Sequence, residues 1–107
     1  QRRDAAFNDY TRALSINPDF KDAYRNLGLV SMESGKFDAA IGYFNKYIEV
    51  GERDASRPLN PQIYNDLANA YARKNDFASA VRYSDQARLN GFSVNEAQVQ
   101  QWRTMIK

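Results

Sequence analysis

Apolar and small residues recur along this chain at helical spacing. Tyr24, Leu27, Gly28 and Ser31 stand at i, i+3, i+4 and i+7. Phe37, Ala40, Ile41, Phe44 and Ile48 resume the rhythm after a break at Gly35. This period gathers such side chains on one face of a helix, and Gly35 reads as the stop between two helices. No segment sustains the two-residue alternation of a strand, so the predicted class is all-α. Asn60-Pro61 predicts a helix start, because Asn can accept from a free backbone N–H and Pro fits the first turn. Ser93 followed by Glu96 has the spacing of a capping box. It predicts a last helix, with Val99, Trp102 and Ile106 sharing its apolar face.

The chain also repeats itself. An offset of 34 residues lays Ala6 on Ala40, Tyr10 on Phe44 and Leu14 on Ile48. An offset of 40 lays Tyr24 on Tyr64, Leu27 on Leu67, Gly28 on Ala68, Phe37 on Phe77 and Ala40 on Ala80. The extra residues between the two periods fall in the polar segment GERDASRPLN, which reads as a lengthened turn. The expected layout is a single domain over 1–107. It contains an unpaired second helix (4–20), a full helical hairpin (21–50), the lengthened turn (51–60), a second hairpin (61–92) and a terminal capping helix (93–107), about six helices in all.

The segments Tyr24 to Val50 and Tyr64 to Leu89 resemble the tetratricopeptide repeat. On the first helix the resemblance rests on Tyr24, Leu27 and Gly28 in one repeat and on Tyr64, Leu67 and Tyr71 in the next. On the second helix it rests on Ala6, Tyr10, Ala13 and Pro18, then Ala40 and Phe44, then Ala80 and Ala87. Ser31, Ala68, Tyr47 and Ser84 depart from the pattern. The resemblance covers roughly residues 4 to 92 and implies antiparallel helical hairpins stacked as a right-handed superhelix.

The two ends of the chain read differently. Residues 4–16 form a second helix without its first, with Ala6, Phe7, Tyr10, Ala13 and Leu14 apolar. A solenoid repeat contacts only its neighbours, and its ends need covering. The chain opens at Gln1 without Met, so either further repeats precede it or the edge self-associates through Phe7 and Tyr10 into a homo-oligomer. At the other end, Trp102 is expected to pack a capping helix onto the last repeat.

Composition narrows the chemistry. There is no cysteine and no histidine, which removes thiolate zinc sites, cysteine nucleophiles, Ser-His triads and the commonest general base. No phosphate-loop, dinucleotide-binding, zinc-protease or calcium-loop motif occurs. The expectation is therefore a protein that is not an enzyme, with no cofactor and no metal; the alternative is a non-catalytic domain of a larger enzyme. Fifteen Lys and Arg against thirteen Asp and Glu leave a net charge of +2, with no basic run longer than a pair. A nucleic-acid binder concentrates basic residues on one face, so no nucleic-acid partner is expected. No stretch approaches the roughly 18 apolar residues of a membrane span, so membrane insertion is not expected. No signal segment is visible, and a cytoplasmic or a periplasmic setting is equally compatible with a cysteine-free chain.

The resemblance implies a binding role: first helices in such arrays line a concave groove that takes extended or helical peptides from a protein partner. With Tyr24, Leu27, Gly28 and Ser31 turned inward, Arg25, Asn26, Leu29 and Met32 face this groove, with Asp22 and Glu33 at its rims. Asn65, Asn69 and Arg73 follow on the next first helix, with Gln62, Asp66 and Ala72. Asn65 and Asn69 lie one turn apart, and their amides can both donate to and accept from an extended backbone. Leu29 and Met32 are apolar where a merely solvated face would be polar. A subtype of the family grips a C-terminal carboxylate with Lys, Asn and Arg. Arg25 and Asn69 match that pattern, whereas Leu29 and Asp66 depart from it, so a peptide of mixed polar and apolar character is expected instead.

Overall fold

The computed structural model describes residues 2–54, 56 and 58–106. Among them are six helices and no strand: α1 (Arg2–Ile16), α2 (Lys21–Glu33), α3 (Phe37–Glu52), α4 (Gln62–Arg73), α5 (Phe77–Leu89) and α6 (Glu96–Thr104). They fall into two compact units, one ending at Leu59 and the other beginning at Asn60.

In the first unit α2 packs against both α1 and α3. Its core is Ala23 and Leu27 from α2 with Ala40, Phe44, Tyr47 and Val50 from α3. Gly28 permits the close approach. A Cβ there would stand 2.3 Å from Cε1 of Phe44, and close-packed interiors leave no room for that atom. The α2–α3 turn has a Schellman geometry: Gly35 adopts φ 75°, its N–H donates to the Met32 carbonyl, and the Lys36 N–H donates to the Ser31 carbonyl.

The second unit repeats this design with different side chains. Asn75 takes the left-handed position at φ 66°, with N–H donation from Asn75 to Ala72 and from Asp76 to Tyr71. Asn tolerates this region better than most residues carrying a Cβ. The Gly28 and Phe44 pair becomes Ala68 and Ser84, both buried, so bulk is gained on one helix and lost on the other. Ala68, Ala80, Val81, Val99 and Trp102 form one core cluster, bordered by Tyr71, Phe77, Tyr83 and Val94. Tyr71 and Tyr83 stack with centroids 5.4 Å apart and planes 6° from parallel. Trp102, 7% exposed, seats α6 on α5. Arg88 adds a surface clamp, donating to both Glu96 carboxylate oxygens (2.9 and 2.7 Å) and to Asp85 (2.7 Å).

Three local expectations change. Gly51 is helical and buried rather than part of the lengthened turn, because the Leu59 side chain folds back onto it. Asn95, not Ser93, caps α6: its Oδ1 accepts from the Gln98 N–H at 3.2 Å, and Glu96 is engaged by Arg88 instead of closing a capping box. Ile106 lies beyond the end of α6 and is exposed, so the apolar face of that helix is Val99 and Trp102. Asn60 acts as expected, its Oδ1 accepting from the Gln62 N–H at 3.0 Å.

Candidate partner-binding faces

The helix period of α2 turns Leu27, Gly28 and Ser31 into the core of the first unit. It leaves Arg25, Asn26, Leu29 and Met32 half-buried on the opposite side, flanked by exposed Asp22 and Glu33. Asn26 and Leu29 do more than face outward. With Ala6 and Tyr10 of α1 and Val30 they line a cleft of about 320 Å³ between α1 and α2. Arg2 and Arg3 also line it, and Arg3 Nη1 donates to the Glu33 carbonyl at the end of α2.

In the second unit Ile63, Leu67, Ala68 and Ala70 of α4 turn inward. Asn65 and Asn69 are half-buried one turn apart, and Arg73 is exposed. Asp66 departs from its expected place on the face. It is 8% exposed and belongs to the buried set of α4. Among the positions assigned to that face, Arg73 is then the sole charge. The α4 face is thus a pair of amides beside a cation, which suits a polypeptide backbone better than a strongly charged ligand.

On α1, Phe7 is exposed and Tyr10 is half-buried. Tyr10 lines the cleft with Asn26 and Leu29, while Phe7 borders a separate cleft with Val30, Ser31 and Lys36. Asn8, Thr11, Arg12 and Ser15 of α1 are polar and exposed, and Ile16 at its end is 80% exposed. Sequence reasoning missed the roles of Arg2 and Arg3, because a basic pair at the start of a helix carries no motif.

A further cleft, of about 700 Å³, lies in the second unit between the start of α5 and Thr104 to Ile106. Its one acid, Asp76, is engaged in capping α5: Oδ1 accepts from the Ser79 N–H at 3.1 Å and Oδ2 from the Ser79 hydroxyl at 2.8 Å. These two bonds hold its carboxyl below the usual range. Among the described residues no group of three or more acids could hold a metal ion. No helix among them is long and apolar enough to cross a membrane.

Comparison with known proteins agrees with this architecture. A family model described as tetratricopeptide repeat matches residues 21–88. The crystal structure of MamA protein is similar at a TM-score of 0.71 and 30% identity, over 81% of this chain and 44% of that one. The N-terminal domain of stress-induced protein-1 (STI-1) from C. elegans is similar at a TM-score of 0.72 and 25% identity, over 92% of this chain and 76% of that one. The chain thus spans less than half the length of the MamA chain that it matches. With repeat-type hairpins in both units and the family model spanning them, this chain belongs to the tetratricopeptide-repeat family.

Proposed function

We propose that this chain is a non-catalytic interaction module whose first-helix faces, on α2 and α4, take a peptide or an extended segment of a protein partner. Family membership supports protein–protein interaction in general. The observation that carries the finer reading is the accessibility of Asn65 and Asn69, one turn apart, on a helix whose other side buries Ile63, Leu67, Ala68 and Ala70. A solvated helix face is charged or polar; these amides can in addition serve both the N–H and the C=O of a passing backbone. On α2, Leu29 and Met32 supply apolar contact, and Met adapts to varied shapes. Each face carries a single cation, Arg25 on α2 and Arg73 on α4, so the reading is a mixed polar and apolar peptide rather than a clamped carboxylate or a phosphate backbone.

Self-association through Phe7 and Tyr10 is the second reading, supported by the exposure of Phe7 and Ile16 on α1.

The test is an affinity capture from native lysate with the wild-type chain beside an Arg25→Ala, Asn69→Ala double variant whose folding is checked by circular dichroism. A partner held by wild type and lost by the folded variant is expected. A partner held equally by both would withdraw these faces as the binding surface.

A further inference from the structure

The turn that ends α5 places a reactive pair in the open. Asn90 caps the helix at φ −97° and ψ 14°, and Gly91 follows it at φ 90°. The turn is a Schellman motif. The Gly91 N–H donates to the Arg88 carbonyl at 3.1 Å, and the Phe92 N–H donates to the Ala87 carbonyl at 3.0 Å. The positive φ selects glycine here, since a Cβ on Gly91 would meet no atom within 4 Å. Both residues are exposed, and Asn90 is the only asparagine in the sequence followed by glycine.

That dipeptide carries its own chemistry. The Gly91 backbone nitrogen, after giving its proton to solvent, can attack Cγ of the Asn90 side chain. A bond forms between this nitrogen and Cγ, the bond from Cγ to Nδ2 breaks, and ammonia leaves with a proton taken from solvent. The product is a five-membered succinimide. Water then adds to one of its two carbonyl carbons. Opening at Cγ restores the normal main chain with an aspartyl side chain. Opening at the backbone carbonyl carbon routes the main chain through Cγ as an isoaspartyl link. The sum is one water consumed and one ammonia released, with no change of oxidation state. Glycine leaves the attacking nitrogen uncrowded, because it has no Cβ.

In the closed cap both reacting groups are held. The Gly91 N–H is committed to Arg88, and Asn90 Nδ2 donates to the Gln86 carbonyl at 2.8 Å. Ring closure therefore waits for the cap to open, and helix ends open at far lower cost than a core. The products do not rebuild the cap. A carboxylate loses the donor to Gln86 and puts negative charge at the partial negative end of α5. An isoaspartyl link also adds a methylene to the main chain between the Ala87 carbonyl and the Phe92 N–H, the span that the Schellman bond closes. This turn leads into Val94, which borders the core cluster, and the pair of Arg88 and Glu96 bridges it.

We infer that Asn90-Gly91 is a deamidation site gated by opening of the α5 cap, and that its isoaspartyl product loosens the seat of α6. Neither residue belongs to the α2 or α4 face, so the site is independent of the binding role.

The test ages the whole wild-type chain in mildly alkaline buffer at physiological temperature, with and without enough urea to unfold it. Intact mass reads the exchange of an amide for an acid, and labelling by an isoaspartyl methyltransferase with peptide mapping locates it. Isoaspartate is expected at position 90 before any other asparagine, forming about tenfold more slowly in the native chain than in the unfolded one. Asn90→Gln would have to close a six-membered ring, and it is expected to remove the signal while keeping its circular dichroism. The isoaspartyl chain, separated by ion exchange, is expected to lose its native Trp102 emission at lower urea than the unmodified chain. A native chain without isoaspartate at position 90 would overturn the inference, as would equal rates in the native and unfolded chains. A signal that persists in Asn90→Gln, or urea transitions that coincide for modified and unmodified chains, would overturn it as well.

Discussion

The Phe44 ring lies against the bare Cα of Gly28: a Cβ built on that glycine would fall 2.3 Å from Cε1 and 2.5 Å from Cδ1 of the ring. The ring is fully buried, so it has no open space to swing into. Gly28→Leu is expected to lower stability by about 1–3 kcal/mol or more through overpacking. Gly42, on the exposed side of α3, is the internal control, because a Cβ there meets nothing within 4 Å. Gly42→Ala is expected to gain up to about 1 kcal/mol from helix propensity. Thermal melts by circular dichroism check both, and an unchanged melting temperature for Gly28→Leu would contradict this packing.

In the second unit the corresponding pair is Ala68 and Ser84, and the exchange leaves a polar remnant. The Ser84 hydroxyl is buried and has no hydrogen-bond partner among the described residues. An unsatisfied buried hydroxyl costs roughly 1–3 kcal/mol of desolvation. Ser84→Ala is therefore expected to be neutral or stabilising by about 1 kcal/mol, measured by urea denaturation. Clear destabilisation would mean that the hydroxyl has a partner.

The start of α6 discriminates between two capping arrangements. Asn95 accepts from the Gln98 N–H, so Asn95→Ala is expected to cost about 0.5–2 kcal/mol. Ser93→Ala is expected to change little. Trp102 is the only tryptophan, and its emission reports on the seating of α6 during denaturation. A larger loss for Ser93→Ala than for Asn95→Ala would reverse the assignment.

Asp76 gives the second unit a defined response to acid. Its side-chain and backbone bonds from Ser79 hold its folded pKa below the ordinary value of 3.8. A depressed carboxylate contributes stability that is complete above its unfolded-state pKa and is lost as pH falls through the folded value. The melting temperature should therefore drop as pH falls below about 4, and Asp76→Asn, a neutral capping acceptor, should show a shallower drop. Parallel pH curves for the two proteins would contradict the assignment.

The sequence by itself determined the helices, their pairing into hairpins and the small residues at their crossing. These follow from the 3.6-residue period, from Gly35 at a turn that needs positive φ, and from the spacing of Ala40 and Ala80. Such features are local, and each is specified by residues a few positions apart. Tertiary structure alone decided the fate of positions at the edge of a helix face. Asp66 and Asn65 are sequence neighbours at that boundary, and packing within the second unit buried one and left the other accessible. Gly51 joined α3 because Leu59 returned to cover it, a contact that no local pattern encodes. Asn95 prevailed over Ser93 because Arg88 on α5 engaged Glu96, the second member of the box. The α1–α2 cleft likewise depends on how deeply α2 covers Ala6 and Tyr10. Periodicity specifies the direction in which a side chain points, but burial at the margin depends on which neighbouring side chain fills the remaining space.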